Sequence, residues 1–283
     1  MKTLHISDLD GTLLNKDAKI TSYTKEVINR FTANGGYFTI ATARTLDTVL
    51  QILDGVKLNV PAVLLNGVSV YDTAVHRYEK IETIDDSCLA GMFKTLTEFD
   101  VTGFVFTLED GDIAHYYENL DSKHRKEFHD DRSGNYGRVY TQVDSFTKLC
   151  NRQIVYFSTC DDYTLLTPVY KKLKTDKRLH VEFYKDIYHN DFWYLEVCSS
   201  AASKYNATSF LKKTYGFDHI VSFGDNLNDL PLFDASNECY AVANAKDEIK
   251  EKATAVIGSN IEDGVAKWLE EFMIDSGIGG LHE

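Results

Sequence analysis

The chain has 283 residues, 43% of them hydrophobic and 12% aromatic, which suits a folded protein with a large core and, at roughly 150 residues per domain, about two domains. Its formal net charge of −13 argues against the concentrated basic surface that nucleic acid or an anionic membrane needs, so neither is expected as a partner. No apolar run approaches the roughly twenty residues of a membrane-spanning helix, and Lys2 leads directly into strand and acidic loop with no secretory signal, so a cytoplasmic protein is expected. Cys88, Cys150, Cys160, Cys198 and Cys239 are scattered without metal-ligand spacing and read as reduced thiols.

Thr3 to Ser7 reads as a buried strand that delivers Asp8 and Asp10, two residues apart and so on one side of an extended segment. Gly11 permits a sharp turn, and the Thr12 hydroxyl is expected to fix it through the local backbone. Two adjacent carboxylates repel unless one keeps a proton or a hard cation such as magnesium lies between them. With a cation, one carboxylate can attack phosphorus while its neighbour protonates the leaving oxygen; Asp8 suits the first role and Asp10 the second. Without further context, the same residues would make an ordinary acidic turn.

Thr21 or Ser22 caps a helix carrying Val27, Ile28 and Phe31, ended by Gly35-Gly36. Tyr37 to Ala41 is a second strand, and Thr42-Ala43-Arg44-Thr45 joins it to a helix bearing Leu46, Val49, Leu50 and Leu53. Such a junction points N–H groups at an anion, so Thr42 and Arg44 are phosphate-binding candidates as well as a possible cap and a surface charge. Val60 to Leu65 is a third strand, ending at Asn66-Gly67, which also reads as a hairpin turn into Val68 to Tyr71 and Ala74 to Tyr78. Strand-helix alternation implies a parallel sheet with ligands beyond its carboxyl edge.

From about Ile84 to Asn190 the pattern becomes aromatic, polar and mixed, as in an inserted domain. It is expected to hold a helix over 85–98, a hairpin through Glu109-Asp110-Gly111-Asp112, and a loop or exposed helix within 118–140. His124, His129, Asp130 and Asp131 read there as a solvated face. A strand over 154–158, a helix over 162–174 containing Pro168, and strands over 181–184 and 192–197 follow. Tyr184, His189, Asn190 and Trp193 are either sugar contacts or packing.

Lys204 opens a helix whose dipole disfavours a cation at that end, which suggests a task such as neutralising Asp8 or binding phosphate. His219 to Phe223 is a buried strand ending in Gly224-Asp225-Asn226-Leu227-Asn228-Asp229. There Asp225 offers a hard oxygen ligand, and Asn228 and Asp229 can support the cation or a phosphate. Strands over 239–243 and 255–257 and a closing helix over 263–274 complete the chain.

With Asp8-Leu9-Asp10-Gly11-Thr12, Thr42, Lys204 and Gly224-Asp225-Asn226-Leu227-Asn228-Asp229 in that order, the chain resembles the haloacid dehalogenase superfamily of phosphohydrolases and, more narrowly, its Cof-type branch. The resemblance extends to Asn66-Gly67, Asn244-Ala245 and Asp263-Gly264-Val265. It implies an α/β fold: a Rossmann-like parallel-sheet core over 1–83 and 191–283, with a large inserted α/β cap over 84–190 that closes over the site and reads the leaving group. Asp8 would then be the nucleophile and Asp10 the general acid/base. Magnesium would be held by the Asp8 side chain, the Asp10 carbonyl and Asp225. Thr42 and Lys204 would bind the transferring phosphoryl group, with Asn228, Ala43, Arg44 and Asn66 as further substrate contacts. Ala43 stands where the family often has glycine, which narrows the approach to that amide unless its φ is negative.

The resulting expectation is a magnesium-dependent phosphatase of small phosphorylated metabolites, sugar phosphates foremost, acting as a monomer or small homo-oligomer. The alternatives are a phosphomutase, which passes the phosphoryl group to a second hydroxyl, and a non-catalytic phosphate-responsive regulatory module.

Overall fold

β1 (Thr3–Ser7) runs through the middle of a sheet because its residues are buried on both faces, as a central parallel strand requires. In the computed structural model, which describes residues 1–185 and 192–277, the chain then forms α1 (Ser22–Ala33), β2 (Tyr37–Ile40), α2 (Leu46–Ile52), β3 (Ala62–Leu64), β4 (Ser69–Asp72) and β5 (Arg77–Ile81). Next come α3 (Asp86–Glu98), β6 (Phe104–Glu109), β7 (Asp112–Tyr117), α4 (Lys123–Tyr136), β8 (Tyr140–Gln142), β9 (Gln153–Asp161), α5 (Tyr163–Leu173), β10 (Leu179–Lys185) and β11 (Trp193–Ser199). The chain closes with α6 (Lys204–Tyr215), β12 (His219–Gly224), α7 (Leu230–Asp234), β13 (Glu238–Val242), α8 (Asp247–Lys252), β14 (Ala255–Ile257) and α9 (Gly264–Ser276).

Two units result, Met1–Lys80 with Ser203–Glu283, and Ile81–Ala202. The first is built on a parallel sheet in the order β14-β13-β12-β1-β2. On one face Val27, Ile28 and Phe31 of α1 and Leu269 of α9 pack with Phe38, Ile40 and Phe223; on the other, Leu4 and Ile6 meet Ala207 and Leu211 of α6. Each valine, leucine, isoleucine or phenylalanine among them stabilises the fold by roughly 1.5–3 kcal/mol on full burial. The expected third parallel strand touches β2 through a single parallel bridge, Ala41 to Val63, and pairs antiparallel with β4 in a separate three-stranded sheet. The hairpin and strand-end readings of Asn66-Gly67 therefore both hold.

His5 faces the α1/α9 layer, with its ring 4.9 Å from those of Phe31 and Phe272. Its Nδ1 lies 3.3 Å from the Tyr37 carbonyl while Nε2 is buried without a partner, and burial pushes its pKa down to about 4.

The second unit contains a six-stranded sheet in the order β10-β11-β9-β6-β7-β8, antiparallel except for β7 with β8. α3 and α5 supply Leu89, Phe93, Leu166 and Val169 to its core. β11 pairs with β10 on one side and β9 on the other, so the boundary expected after residue 190 lies instead after Ala202. Alternation within 192–197 shows a strand but not which sheet receives it. The charged segment expected to be a loop or an exposed helix is the helix α4, which buries one of its residues, Arg125, against Asp161 at 2.6 Å.

Candidate active site

Asp8 follows β1, Thr42 follows β2 and Asp225 follows β12, so the register of three adjacent parallel strands gathers them at the sheet's carboxyl edge. The backbone stitches these ends together: Asp8 N–H donates to Phe223 O, Ala41 N–H to Ser7 O, and Thr42 N–H to Val63 O. Gly11 has φ +81°, and a Cβ there would lie 2.4 Å from Asp225 Oδ2, so the turn needs both the left-handed backbone and the missing side chain. The Thr12 hydroxyl donates to Asp225 Oδ1 at 3.0 Å, joining the two acidic loops instead of bracing its own turn as expected.

Lys204 is the first residue of α6, whose N-cap Ser203 accepts from Asn206 N–H. Its ammonium is 1% exposed and donates to Asp8 Oδ1 at 2.6 Å and Asp229 Oδ1 at 2.7 Å. Burial alone would favour loss of its proton, but the Asp8 and Asp229 charges outweigh that and hold its pKa above the ordinary lysine value. The helix start is placed by Gly67, at φ +102°, where a Cβ would stand 2.2 Å from Ser203 O.

Asp8 is buried, and its carboxyl is pushed well above the usual range by that burial and by Asp229, with Lys204 pulling the other way. Asp225 is pushed up to about 6 by burial and by Asp229, against the Thr12 hydrogen bond. Among the described residues, Asp8, Asp225 and Asp229 each offer a carboxylate oxygen, all within 4.8 Å of one another. Three buried or half-buried carboxylates thus share one ammonium, a hard-oxygen set short of positive charge and chemically suited to a divalent cation.

Asp229 was foreseen only as supporting the cation or a phosphate, yet it is wholly buried and central. Besides gripping Lys204, it accepts the Asp225 and Asn226 N–H groups at 2.9 and 3.1 Å through Oδ2. The Asn226-x-x-Asp229 capping-box spacing carried that signal. Asn244 also has a definite place: Nδ2 donates to Gly11 O at 2.7 Å and Oδ1 accepts Asn260 N–H, while Lys246 N–H reaches Asp225 O.

Asp10 is held by a different cation from Asp8. Arg44 Nε and one terminal nitrogen donate to its two carboxylate oxygens, each at 2.7 Å. Thr42 is wholly buried and its hydroxyl accepts Arg44 N–H at 3.1 Å. Ala43 is exposed and is not among the residues with positive φ, so alanine fits its backbone there. Asn66, at φ +52°, lies 3.5 Å from Asn228 Nδ2 through its side-chain oxygen. In the second unit, Trp193 packs on Tyr163 and Phe183, whereas Tyr184 is exposed and stacks on Tyr194. His189 and Asn190 lie outside the described residues.

At the carboxyl edge of the parallel sheet the chain thus brings together a carboxylate cluster, a buried lysine and a strand-end threonine. The chain belongs to the haloacid dehalogenase-like hydrolase family, whose model matches residues 5–269. It is 28% identical to the 5-amino-6-(5-phospho-D-ribitylamino)uracil phosphatase YwtE of Bacillus subtilis, over 96% of this chain and 98% of that one. It is 24% identical to the pyridoxal phosphate phosphatase YbhA of Escherichia coli, over 94% and 97%. A crystal structure of a Thermotoga maritima protein shares the fold with a TM-score of 0.78 at 23% identity, covering 96% of this chain and 97% of that one.

Proposed function

We propose that the protein is a magnesium-dependent phosphatase that hydrolyses small phosphorylated metabolites, sugar phosphates among them, through an aspartyl-phosphate on Asp8. The observation that carries this reading is the buried Asp8–Lys204–Asp229 arrangement beside Asp225, with Asp10 two residues away on its own cation. The relatives named for a phosphoribityl compound and for pyridoxal phosphate support a small phosphorylated substrate.

Lys204 fixes Asp8 Oδ1 and leaves Oδ2 outside that hydrogen bond, available as nucleophile. As the Asp8–phosphorus bond forms, the ester P–O bond breaks and Asp10 gives its proton to the departing oxygen. In the second half Asp10 takes a proton from water, whose oxygen bonds phosphorus as the Asp8–phosphorus bond breaks. Lys204 and the Thr42 hydroxyl are the phosphoryl-binding groups, with Ala43, Asn66 and Asn228 at the margin. Asp8 and Asp225, with the Asp10 carbonyl, would hold magnesium, whose charge neutralises the phosphoryl oxygens. Asp229 is occupied by Lys204 and the backbone and serves to place both. The second unit is the element that selects the leaving group, and the site of action is the cytoplasm.

Acid-quenching the enzyme during turnover of a radiolabelled phosphate ester tests the intermediate. Label on the Asp8 peptide, lost in Asp8→Asn, is the expected result; label on another residue, or none with rapid hydrolysis, contradicts it. Label passing from one sugar hydroxyl to another without release of inorganic phosphate would make the protein a mutase. Stable label without turnover would make it a regulatory module.

A further inference from the structure

The second unit contains a cavity of about 280 Å³, near the lower end of the roughly 300–1,000 Å³ typical of small-molecule sites. It is walled by the end of α3, the segment after β7 and the turn before Phe146. Phe93, Leu96 and Phe146 form its apolar side, with the two rings stacked 6.0 Å apart. None of the lining residues belongs to the unit that carries Asp8.

The polar side is acidic. Asp100, Glu118 and Asp144 line it, and no lysine, arginine or histidine does so among the described residues. Asp144 has a cation of its own in Lys148, whereas Asp100 and Glu118 make no ion pair among the described residues. α3 adds to the negative potential, because its C-terminal end borders the cavity and its last turn carries no basic residue. Glu118 accepts Phe146 N–H at 2.6 Å through Oε1, which leaves Oε2 outside that bond, and burial pushes its pKa above the ordinary glutamate value. A cation on Oε2 would offset that burial.

Thr102 is a second and independent sign of a ligand. It borders the cavity at 9% exposure, and its hydroxyl is buried without a hydrogen-bond partner among the described residues. Such a group costs stability until something satisfies it. The carboxylates also decide which cation fits. Among the described residues, acidic oxygens converge within 4.8 Å at Asp8, Asp225 and Asp229 and not here, so no single metal ion could be gripped by all three carboxylates of the cavity. An ammonium group needs no such convergence. It donates three separate hydrogen bonds, and its alkyl chain can lie against the rings of Phe93 and Phe146.

We propose that this cavity binds a small primary alkylammonium ion, held by Asp100 and Glu118, with the Thr102 hydroxyl accepting a further N–H and the chain resting on Phe93 and Phe146. The site is separate from the phosphatase chemistry, so the ion would bind even to protein that cleaves no phosphate ester.

Calorimetric titration with 1,4-diaminobutane tests this on the wild type, Asp100→Asn, Glu118→Gln, their double variant and Thr102→Val, each checked for folding by its thermal melt. Asparagine tolerates the left-handed backbone of residue 100, at φ +53°, and glutamine keeps an acceptor for Phe146 N–H, so both changes preserve the local structure. The expected result is diamine binding that each acid-to-amide change weakens by about fivefold. Thr102→Val should weaken it as well, with the melting temperature of the ligand-free protein unchanged or raised, because the unsatisfied hydroxyl is gone. 1,4-Butanediol, of the same length without the charges, should not bind.

Absence of diamine binding to the wild type would overturn the site. So would equal affinity in the double variant, which would put the diamine on other carboxylates such as the Asp8 cluster, or unchanged affinity in Thr102→Val. Diol binding as tight as diamine binding would mean that charge plays no part and would overturn it too. Magnesium that displaces the diamine, with its own affinity lowered by Glu118→Gln, would make the cavity a metal site instead.

Discussion

Replacing Lys204 by methionine keeps the volume of the side chain and removes the ammonium that hydrogen-bonds both Asp8 and Asp229. Both carboxylates are buried, at 4% and 0% residue exposure, so water cannot take over the lost contacts. Breaking a buried pair from one side leaves uncompensated charge and costs roughly 3–5 kcal/mol, a large share of a typical stability of about 5–15 kcal/mol. The molecule can escape part of this by protonating one carboxylate. Asp8 is the group to take the proton, since burial and Asp229 already raise its pKa, and removing the cation raises it further. A carboxyl whose folded pKa exceeds its unfolded value loses stability as pH rises through the folded value, so the penalty should be greater at pH 7 than at pH 5. Urea denaturation of both proteins at the two pH values measures it, and adding Asp229→Asn to the variant should restore part of the loss. A penalty below about 1 kcal/mol, or one equal at both pH values, would refute the reasoning, because it would mean the triad is wetted like a surface pair.

Two further outcomes follow from backbone and burial. Gly67→Ala should destabilise by roughly 2 kcal/mol or more, because it adds a left-handed-backbone penalty to a Cβ 2.2 Å from Ser203 O, and it should weaken phosphate binding by shifting the start of α6. Chemical denaturation with phosphate titration checks both, and a neutral variant would contradict the close approach. His5 should contribute a pH dependence of its own. Its folded pKa of about 4 lies below the ordinary histidine value of about 6.5, so this stability is complete above pH 6.5 and falls as pH drops toward 4, by about 3 kcal/mol. The stability of wild type relative to His5→Leu, followed from pH 8 to 4, should fall over that window; a constant difference would mean that His5 is solvated.

Much of this was legible in the residues because the decisive signals are local. The apolar run before Asp8, the helix stripe Val27, Ile28 and Phe31, and the misplaced cation at Lys204 each follow from periodicity or dipole logic within a few positions. What escaped depends on which segments meet in space. Thr12 turned out to serve Asp225, more than two hundred residues away in sequence, and no local rule predicts that hydrogen bond. Arg44 read as a phosphate ligand or a surface charge, and its bidentate hold on Asp10 appears only once two loops face each other. β11 was placed on the wrong side of the boundary because a strand's alternation gives its faces and not its neighbours. The burial of Arg125 in the otherwise polar α4 depends on Asp161 at the end of β9, and no pattern within the helix signals it.

The most direct test of the central claim is release of inorganic phosphate from a panel of sugar, nucleotide and cofactor phosphates, with and without magnesium, comparing wild type with Asp8→Asn. Magnesium-dependent release that the substitution abolishes, with the fold intact by circular dichroism, is the predicted result. Release that survives Asp8→Asn, or none from any compound by folded wild-type protein supplied with magnesium, would contradict it.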